Sequence, residues 1–166
     1  MSKLIILRGN SGSGKSTVAL EIAKHSAEKT AIVDADRYRV DMLFPKPVHG
    51  PDLAELMRHN VMYCLDHGYN VLWDSIFYAT EQNKDYIGEC LNKLHPKDNF
   101  IFTFDVSFEE TARRHNLRHK SNDFGVEEMK TWYQPVEKLG YDFEYVIPES
   151  NSLKETVNLI KSTAQI

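Results

Sequence analysis

The sequence has few cysteines and no long apolar run. Its 166 residues include two cysteines, Cys64 and Cys90, which is typical of a reduced cytoplasmic protein and not of a disulfide scaffold. No apolar stretch approaches the roughly 20 residues that span a bilayer, and residues 1–10 do not have the pattern of a signal peptide. These absences argue against membrane, secreted and fibrous classes, and we expect a cytoplasmic protein.

The sequence also has no excess of basic residues. Its 20 Lys and Arg residues against 24 Asp and Glu residues give a net charge of −4. Without an overall basic field, long DNA or RNA is an unfavourable partner, although a local groove could still be positive. The 42% hydrophobic and 27% charged residues indicate a globular chain. The length predicts a single domain over residues 1–166.

Short apolar segments alternate with helical patterns along the chain. The predicted strands cover residues 3–8, 30–34, 70–74, 99–106 and 143–147. The predicted helices between them include one over 36–44, one that begins at Ser107 with Glu110 completing a capping box, and one over 126–139. Because these strands are apolar throughout, the pattern predicts a parallel sheet covered by helices on both faces, a three-layer α/β/α fold.

A complete phosphate-binding motif lies between the first predicted strand and the helix that follows it. Residues 9–16 match G-x-x-x-x-G-K-[ST], in which glycines let backbone N–H groups surround a phosphate at a helix N-terminus. The lysine of this motif reaches the β- and γ-phosphates, and its hydroxyl residue ligates Mg²⁺. We therefore predict nucleoside triphosphate binding by Gly9, Asn10, Ser11, Gly12, Ser13, Gly14, Lys15, Ser16 and Thr17.

Acidic residues follow the second and third predicted strands. Asp74 ends the third strand, at the sheet edge where open α/β folds bind ligands, so it is a candidate for the Mg²⁺ site or for acceptor contact, or else a turn residue. Asp36 is a candidate base for a hydroxyl proton, and Arg39 could hold an acceptor. Asp34 is expected to end its strand or cap the next turn, and the whole cluster could instead be a solvated helix start.

Two arginines at helical spacing predict a lid. Arg114 and Arg118 are four residues apart and share a helix face, where two cations repel each other unless an anion lies between them. A triphosphate would supply that anion, so we predict a lid over residues 113–125 that excludes water; the alternative is a solvated basic surface. His115 and His119 have the same spacing without a metal motif, and are expected on the lid surface.

Four segments together resemble one group of enzymes. GNSGSGKST, DADRYR, NVLWDSIF and VSFEETARRHNLRH are similar to the small P-loop kinases grouped with chloramphenicol phosphotransferase, zeta toxins and phage polynucleotide kinase. The resemblance implies a P-loop NTPase fold with a five-stranded parallel sheet in the order 2-3-1-4-5, with ATP and Mg²⁺ as cofactors. It also implies Asp36 as base, Arg39 at the acceptor, Asp74 near the metal, Arg114 and Arg118 as lid arginines, and adenine near residues 148–151.

The resemblance implies transfer of the γ-phosphoryl group of ATP to a hydroxyl of a small molecule: an antibiotic, a nucleoside, a sugar or a nucleotide sugar. One alternative is a polynucleotide 5′-hydroxyl kinase, which the acidic net charge disfavours. Another alternative is a non-catalytic switch that binds ATP. Asp34 stays an alternative base, and the antitoxin that usually accompanies zeta toxins is not visible in the sequence.

Overall fold

Five parallel strands form one sheet in the computed structural model, which describes residues 1–43, 51–117 and 124–166. The strand order is β2-β3-β1-β4-β5, which confirms the expected order and fold class. The strands are β1 (Leu4–Gly9), β2 (Thr30–Asp34), β3 (Asn70–Ser75), β4 (Asn99–Asp105) and β5 (Glu144–Pro148).

Helices connect the parallel strands. They are α1 (Lys15–Lys24), α2 (Ala35–Arg37), α3 (Pro51–Asp66), α4 (Glu81–Leu91), α5 (Phe108–Asn116), α6 (Val126–Trp132) and α7 (Leu153–Ala164). In place of the helix predicted over residues 36–44, the short α2 is followed by a π-helical turn over Tyr38–Met42. Within the described ranges, no helix is both long and apolar enough to cross a membrane.

The core has two layers, one on each face of the sheet. Successive side chains of a strand point to opposite faces, so Leu4 and Ile6 of β1 pack in one layer with apolar residues of α3 and α4. Ile5 and Leu7 pack in the other layer with apolar residues of α1 and α7. This two-sided burial explains why the strands are apolar throughout.

The segment after α6 is not helical, contrary to the prediction of a helix over 126–139. Pro135 has no backbone N–H and disfavours helical geometry at Gln134, so α6 ends at Trp132. The chain then passes over the carboxyl end of β1. There Asn10 Nδ2 donates to the Gln134 carbonyl at 2.8 Å, and Arg8 Nη1 donates to the Glu137 carbonyl at 2.7 Å.

The turn between β1 and α1 lies directly against α5. Gly12 in this turn has a φ of +85°, and a Cβ there would lie 2.8 Å from the Thr111 carbonyl oxygen. A side chain is therefore excluded both by the backbone conformation and by its neighbour. Gly68, after α3, has a similar φ of +79° but no atom within 4 Å of a Cβ position.

Gly12→Ala should destabilise the protein more than Gly68→Ala. Both variants force alanine into a left-handed conformation, which costs about 1–2 kcal/mol. Gly12→Ala must also displace the Thr111 carbonyl, and such overpacking adds about 1–3 kcal/mol. Urea unfolding of the two variants measures the difference. Equal losses of unfolding free energy would show that the turn does not depend on its contact with α5.

Candidate active site

The predicted phosphate-binding loop forms the turn between β1 and α1. Lys15 is 6% exposed, and its Nζ donates to the carbonyl oxygens of Gly9 at 2.8 Å and Asn10 at 2.9 Å. Gly14 precedes the first turn of α1 in a left-handed conformation. The structure thus brings the lysine ammonium and a helix N-terminus together in one turn, and both features favour an anion.

A hydroxyl and a carboxylate meet beside this loop. Ser16 Oγ donates to Asp74 Oδ2 at 2.5 Å, joining α1 to β3. Asp74 is 3% exposed, and this burial raises the pKa of its carboxyl. The Lys15 ammonium and the Ser16 hydroxyl lower this pKa, whereas the nearby Asp34 and Asp36 raise it further.

This pair of oxygen donors fits Mg²⁺. A protein site for Mg²⁺ commonly uses one or two oxygen ligands and leaves the other positions to water and substrate phosphates. Among the residues that the structure describes, no group of three or more His, Cys, Asp or Glu side chains could hold a metal ion. Ser16 and Asp74 therefore suit a metal shared with a bound phosphate chain.

Arg114 reaches the phosphate-binding loop from α5. Its Nη1 donates to the Ser13 carbonyl at 2.8 Å, and its Nη2 donates to the Glu149 carbonyl at 3.1 Å. Arg114 therefore links the loop to the segment after β5, where the resemblance places adenine. Arg118 and the rest of residues 118–123 of the predicted lid lie outside the described residues.

Glu110 orients Arg114 instead of completing a capping box. Ser107 Oγ accepts the Glu110 N–H at 3.3 Å, so one half of the predicted box is present. The other half is wrong, because the Ser107 N–H donates to the Glu149 carboxylate at 2.9 Å. The Glu110 carboxylate instead binds Arg113 and Arg114, whose hydrogen bonds lower its pKa to about 2.

The two acidic residues after β2 have different environments. Asp34 Oδ1 accepts the Asp36 backbone N–H at 2.9 Å, so Asp34 caps α2, which was one of the expected roles. Its side chain is 12% exposed. The Asp36 side chain is 43% exposed, and its Oδ1 lies 2.5 Å from Arg39 Nη2. Asp36 is therefore the more accessible of the two carboxylates.

His115 is not on the surface where it was expected. It is 2% exposed, its Nε2 lies 2.9 Å from the Phe124 carbonyl oxygen, and the two rings stack with centroids 4.6 Å apart. A buried, stacked histidine is a packing residue of α5, and His119 lies outside the described residues.

Arg8 and Glu144 form a buried ion pair next to the loop, and no sequence motif indicates either residue. Arg8 Nη1 lies 2.9 Å from Glu144 Oε1, and the two side chains are 4% and 1% exposed. Burial lowers the pKa of the Arg8 guanidinium, while Glu144 raises it. The one local signal for this pair is a charged residue that ends an apolar strand directly before Gly9.

A cavity adjoins the loop above this ion pair. Its volume is about 280 Å³, and it lies between residues 8–10, residues 76–80 after β3 and residues 134–137 after α6. The cavity is thus at the carboxyl edge of the sheet, where parallel α/β folds bind their ligands.

Comparison with known proteins identifies the fold. No family model and no curated protein matches the chain. The structure of Mycobacterium tuberculosis APS kinase CysC with AMPPNP and APS is 17% identical, with 99% of this chain and 98% of that chain covered and a TM-score of 0.73. A gluconokinase from Sinorhizobium meliloti is 16% identical over 98% and 91% of the two chains, with a TM-score of 0.66. The tunicamycin resistance protein of Deinococcus radiodurans is 14% identical over 100% and 97%, with a TM-score of 0.65. This likeness over nearly the whole chain shows that the protein has the P-loop kinase α/β fold.

Proposed function

We propose that this protein is an ATP- and Mg²⁺-dependent phosphotransferase that moves the γ-phosphoryl group of ATP to a hydroxyl of a small-molecule acceptor. The observation behind the proposal is that Lys15, Arg114 and the Ser16–Asp74 pair meet around one loop. Two cations at a helix N-terminus favour a polyanion, and the paired oxygens favour a hard divalent cation. ATP with Mg²⁺ supplies both.

Each of these groups has a distinct task. The backbone N–H groups of the loop and the Lys15 ammonium would bind the phosphate chain. Ser16 and Asp74 would hold Mg²⁺, which neutralises charge on the phosphate oxygens. Arg114, fixed by Glu110 and by the Ser13 carbonyl, would stabilise the charge that shifts toward the leaving group during transfer.

In the transfer step, the acceptor oxygen forms a bond to the γ-phosphorus while the bond from that phosphorus to the β–γ bridging oxygen breaks. ADP leaves, and the hydroxyl proton passes to a carboxylate. Asp36 suits this role better than Asp34, because Asp34 is mostly buried and already accepts a backbone N–H. Arg39, 2.5 Å from Asp36, would orient the carboxylate.

The experiment that tests this function does not require the acceptor to be identified in advance. The protein is incubated with γ-labelled ATP, Mg²⁺ and the low-molecular-weight pool of a cell extract, and in parallel with an oligonucleotide bearing a 5′-hydroxyl. Label in a small molecule supports the proposal. Label on the oligonucleotide identifies a polynucleotide kinase, and ATP binding without any transfer identifies a nucleotide-binding switch.

Lys15→Ala should weaken ATP binding and leave the fold intact. The variant loses a hydrogen bond between charged groups, which lowers affinity by roughly 10- to 150-fold. Titration calorimetry with a non-hydrolysable ATP analogue measures this change. Lys24→Ala, at the exposed end of the same helix, is the matched control, and unchanged affinity in Lys15→Ala would refute phosphate binding by this loop.

Arg114→Ala should lower kcat more than it weakens ATP binding. An electrostatic group of this kind contributes about 10²–10³ in rate, because charge shifts most in the transition state. Arg113→Ala is the control, since Arg113 binds the same Glu110 but is 63% exposed. A raised KM for ATP with unchanged kcat would show that Arg114 only holds the nucleotide.

Asp36→Asn should lower kcat without changing ATP affinity. A general base contributes about 10²–10⁴ in rate, and the loss should lie near the lower end because a loose transition state delays proton removal. Asp34→Asn should instead cost about 1 kcal/mol of stability through its weakened cap. If Asp34→Asn abolishes turnover while Asp36→Asn retains it, Asp34 is the base.

A further inference from the structure

The cavity adjoins the loop that is proposed to bind the phosphate chain. Gly9 and Asn10 form part of its wall, and Lys15 Nζ donates to the carbonyl oxygens of both. The ammonium proposed to bind the phosphate chain is therefore held behind that wall. A second wall, residues 76–80, continues the chain just beyond Asp74. A molecule in the cavity would lie next to the phosphate-binding loop.

Arg8 offers this cavity a hydrogen-bond donor. The guanidinium donates through Nε to the Phe77 carbonyl and through Nη1 to Thr103, Glu137 and Glu144, whereas Nη2 makes no hydrogen bond to the residues that the structure describes. In the described part of the chain, the fully enclosed side-chain nitrogen and oxygen atoms without partners belong to Trp73 and Asn99. Nη2 is therefore not enclosed. Because Arg8 is 4% exposed and lines the cavity, we infer that Nη2 faces the cavity.

The described lining of the cavity has no uncompensated positive charge. The Arg8 guanidinium is already paired with Glu144 at 2.9 Å, and the other charged residue of this lining is Glu137, an exposed carboxylate. A phosphate or sulfate group there would meet the Glu137 carboxylate and gain no uncompensated cation, which is unfavourable. Ile76, Phe77 and Val136 give the wall an apolar portion.

Asn10 is the other buried polar residue of the described lining, and its side chain already has hydrogen-bond partners. Asn10 Nδ2 donates to the Gln134 carbonyl at 2.8 Å, and Asn10 Oδ1 accepts the Gln134 N–H at 3.1 Å. The Asn10 amide therefore holds the wall segment at Gln134, and another group has to recognise the ligand. Arg8 Nη2 is then the buried donor that a ligand would meet.

We propose that this cavity binds the phosphoryl acceptor, and that the acceptor is a molecule without negative charge whose hydroxyl or carbonyl oxygen accepts a hydrogen bond from Arg8 Nη2. Its apolar face packs against Phe77 and Val136. This assignment rests on the proposed phosphotransfer and adds a substrate class and a specificity-determining residue. Neutral sugars, nucleosides and uncharged antibiotics fit this description, whereas sugar phosphates, nucleotide sugars and polynucleotides do not.

Fractionation of the small-molecule pool tests the substrate class. The pool is passed over an anion exchanger, and each fraction is supplied to the protein with γ-labelled ATP and Mg²⁺. We expect label transfer to molecules in the flow-through. Transfer restricted to the bound, anionic fraction would overturn the inference while the proposed phosphotransfer stands. No transfer with any fraction would overturn the phosphotransferase itself.

Arg8→Lys tests the residue. Lysine keeps the charge opposite Glu144 but removes the guanidinium Nη2, so the concentration of the flow-through fraction at half-saturation should rise by about 10- to 150-fold, the range for a hydrogen bond to a charged group. Because Arg8 also holds the residues next to Gly9, binding of an ATP analogue is measured in parallel, and a loss larger for the acceptor than for the analogue assigns the effect to Nη2. Arg58→Lys is the control, because Arg58 pairs with Glu89 between α3 and α4, away from the cavity.

A second variant keeps the test decisive if Arg8→Lys fails to fold. Val136→Trp fills the cavity without altering the ion pair, since Val136 is a half-buried residue of the non-helical wall segment. It should raise the half-saturating acceptor concentration and leave binding of the ATP analogue unchanged. If folded Val136→Trp leaves acceptor use at the wild-type level, the acceptor binds elsewhere.

Discussion

The carboxyl edge of the sheet depends on one buried guanidinium. Arg8 joins the segment after β3, strand β4, the segment after α6 and strand β5 through Phe77, Thr103, Glu137 and Glu144. Burying two charges costs several kcal/mol per ion, so such a pair is tolerated only when its geometry and hydrogen bonds are favourable. Because Arg8 immediately precedes Gly9, the phosphate-binding loop starts from a fixed point, and the neighbouring cavity has fixed walls.

Carboxylates and cations meet at this edge. Asp34 ends β2, Asp36 follows it and Asp74 lies near the end of β3, and the repulsion from Asp34 and Asp36 helps to raise the pKa of the Asp74 carboxyl, whereas Lys15 lowers it. Lys15 and Arg114 lie around the loop between β1 and α1, which Asp74 joins through Ser16. In the proposed phosphoryl transfer, the cations would face the phosphate chain and the carboxylates would take the metal and the proton.

The features that the sequence predicts correctly depend on local signals. The turn between β1 and α1, the apolar strands and the cap at Asp34 are each encoded within a few residues. The Arg8–Glu144 pair joins residues 136 positions apart, and the role of Glu110 depends on Glu149 occupying the Ser107 N–H. No local pattern specifies such contacts. The end of α6 is different, because Pro135 is a local signal, and its effect on the backbone outweighs the apolar periodicity that favours a longer helix.

In the proposed reaction, the charged loop would recognise the nucleotide, and the neighbouring cavity, which has no uncompensated cation in its described lining, would recognise the acceptor. The nucleotide would bring the charge that Lys15 and Arg114 compensate, so the acceptor side need only orient a hydroxyl and exclude water. Glu144 cancels the charge of Arg8 while leaving Nη2 open as a donor to the cavity. A ligand without an oxygen near Arg8 Nη2 would leave a buried N–H unpaired, which weakens its binding. An anionic ligand would find no uncompensated cation in the described lining. The same ion pair that holds the start of the loop would thereby select acceptors without negative charge.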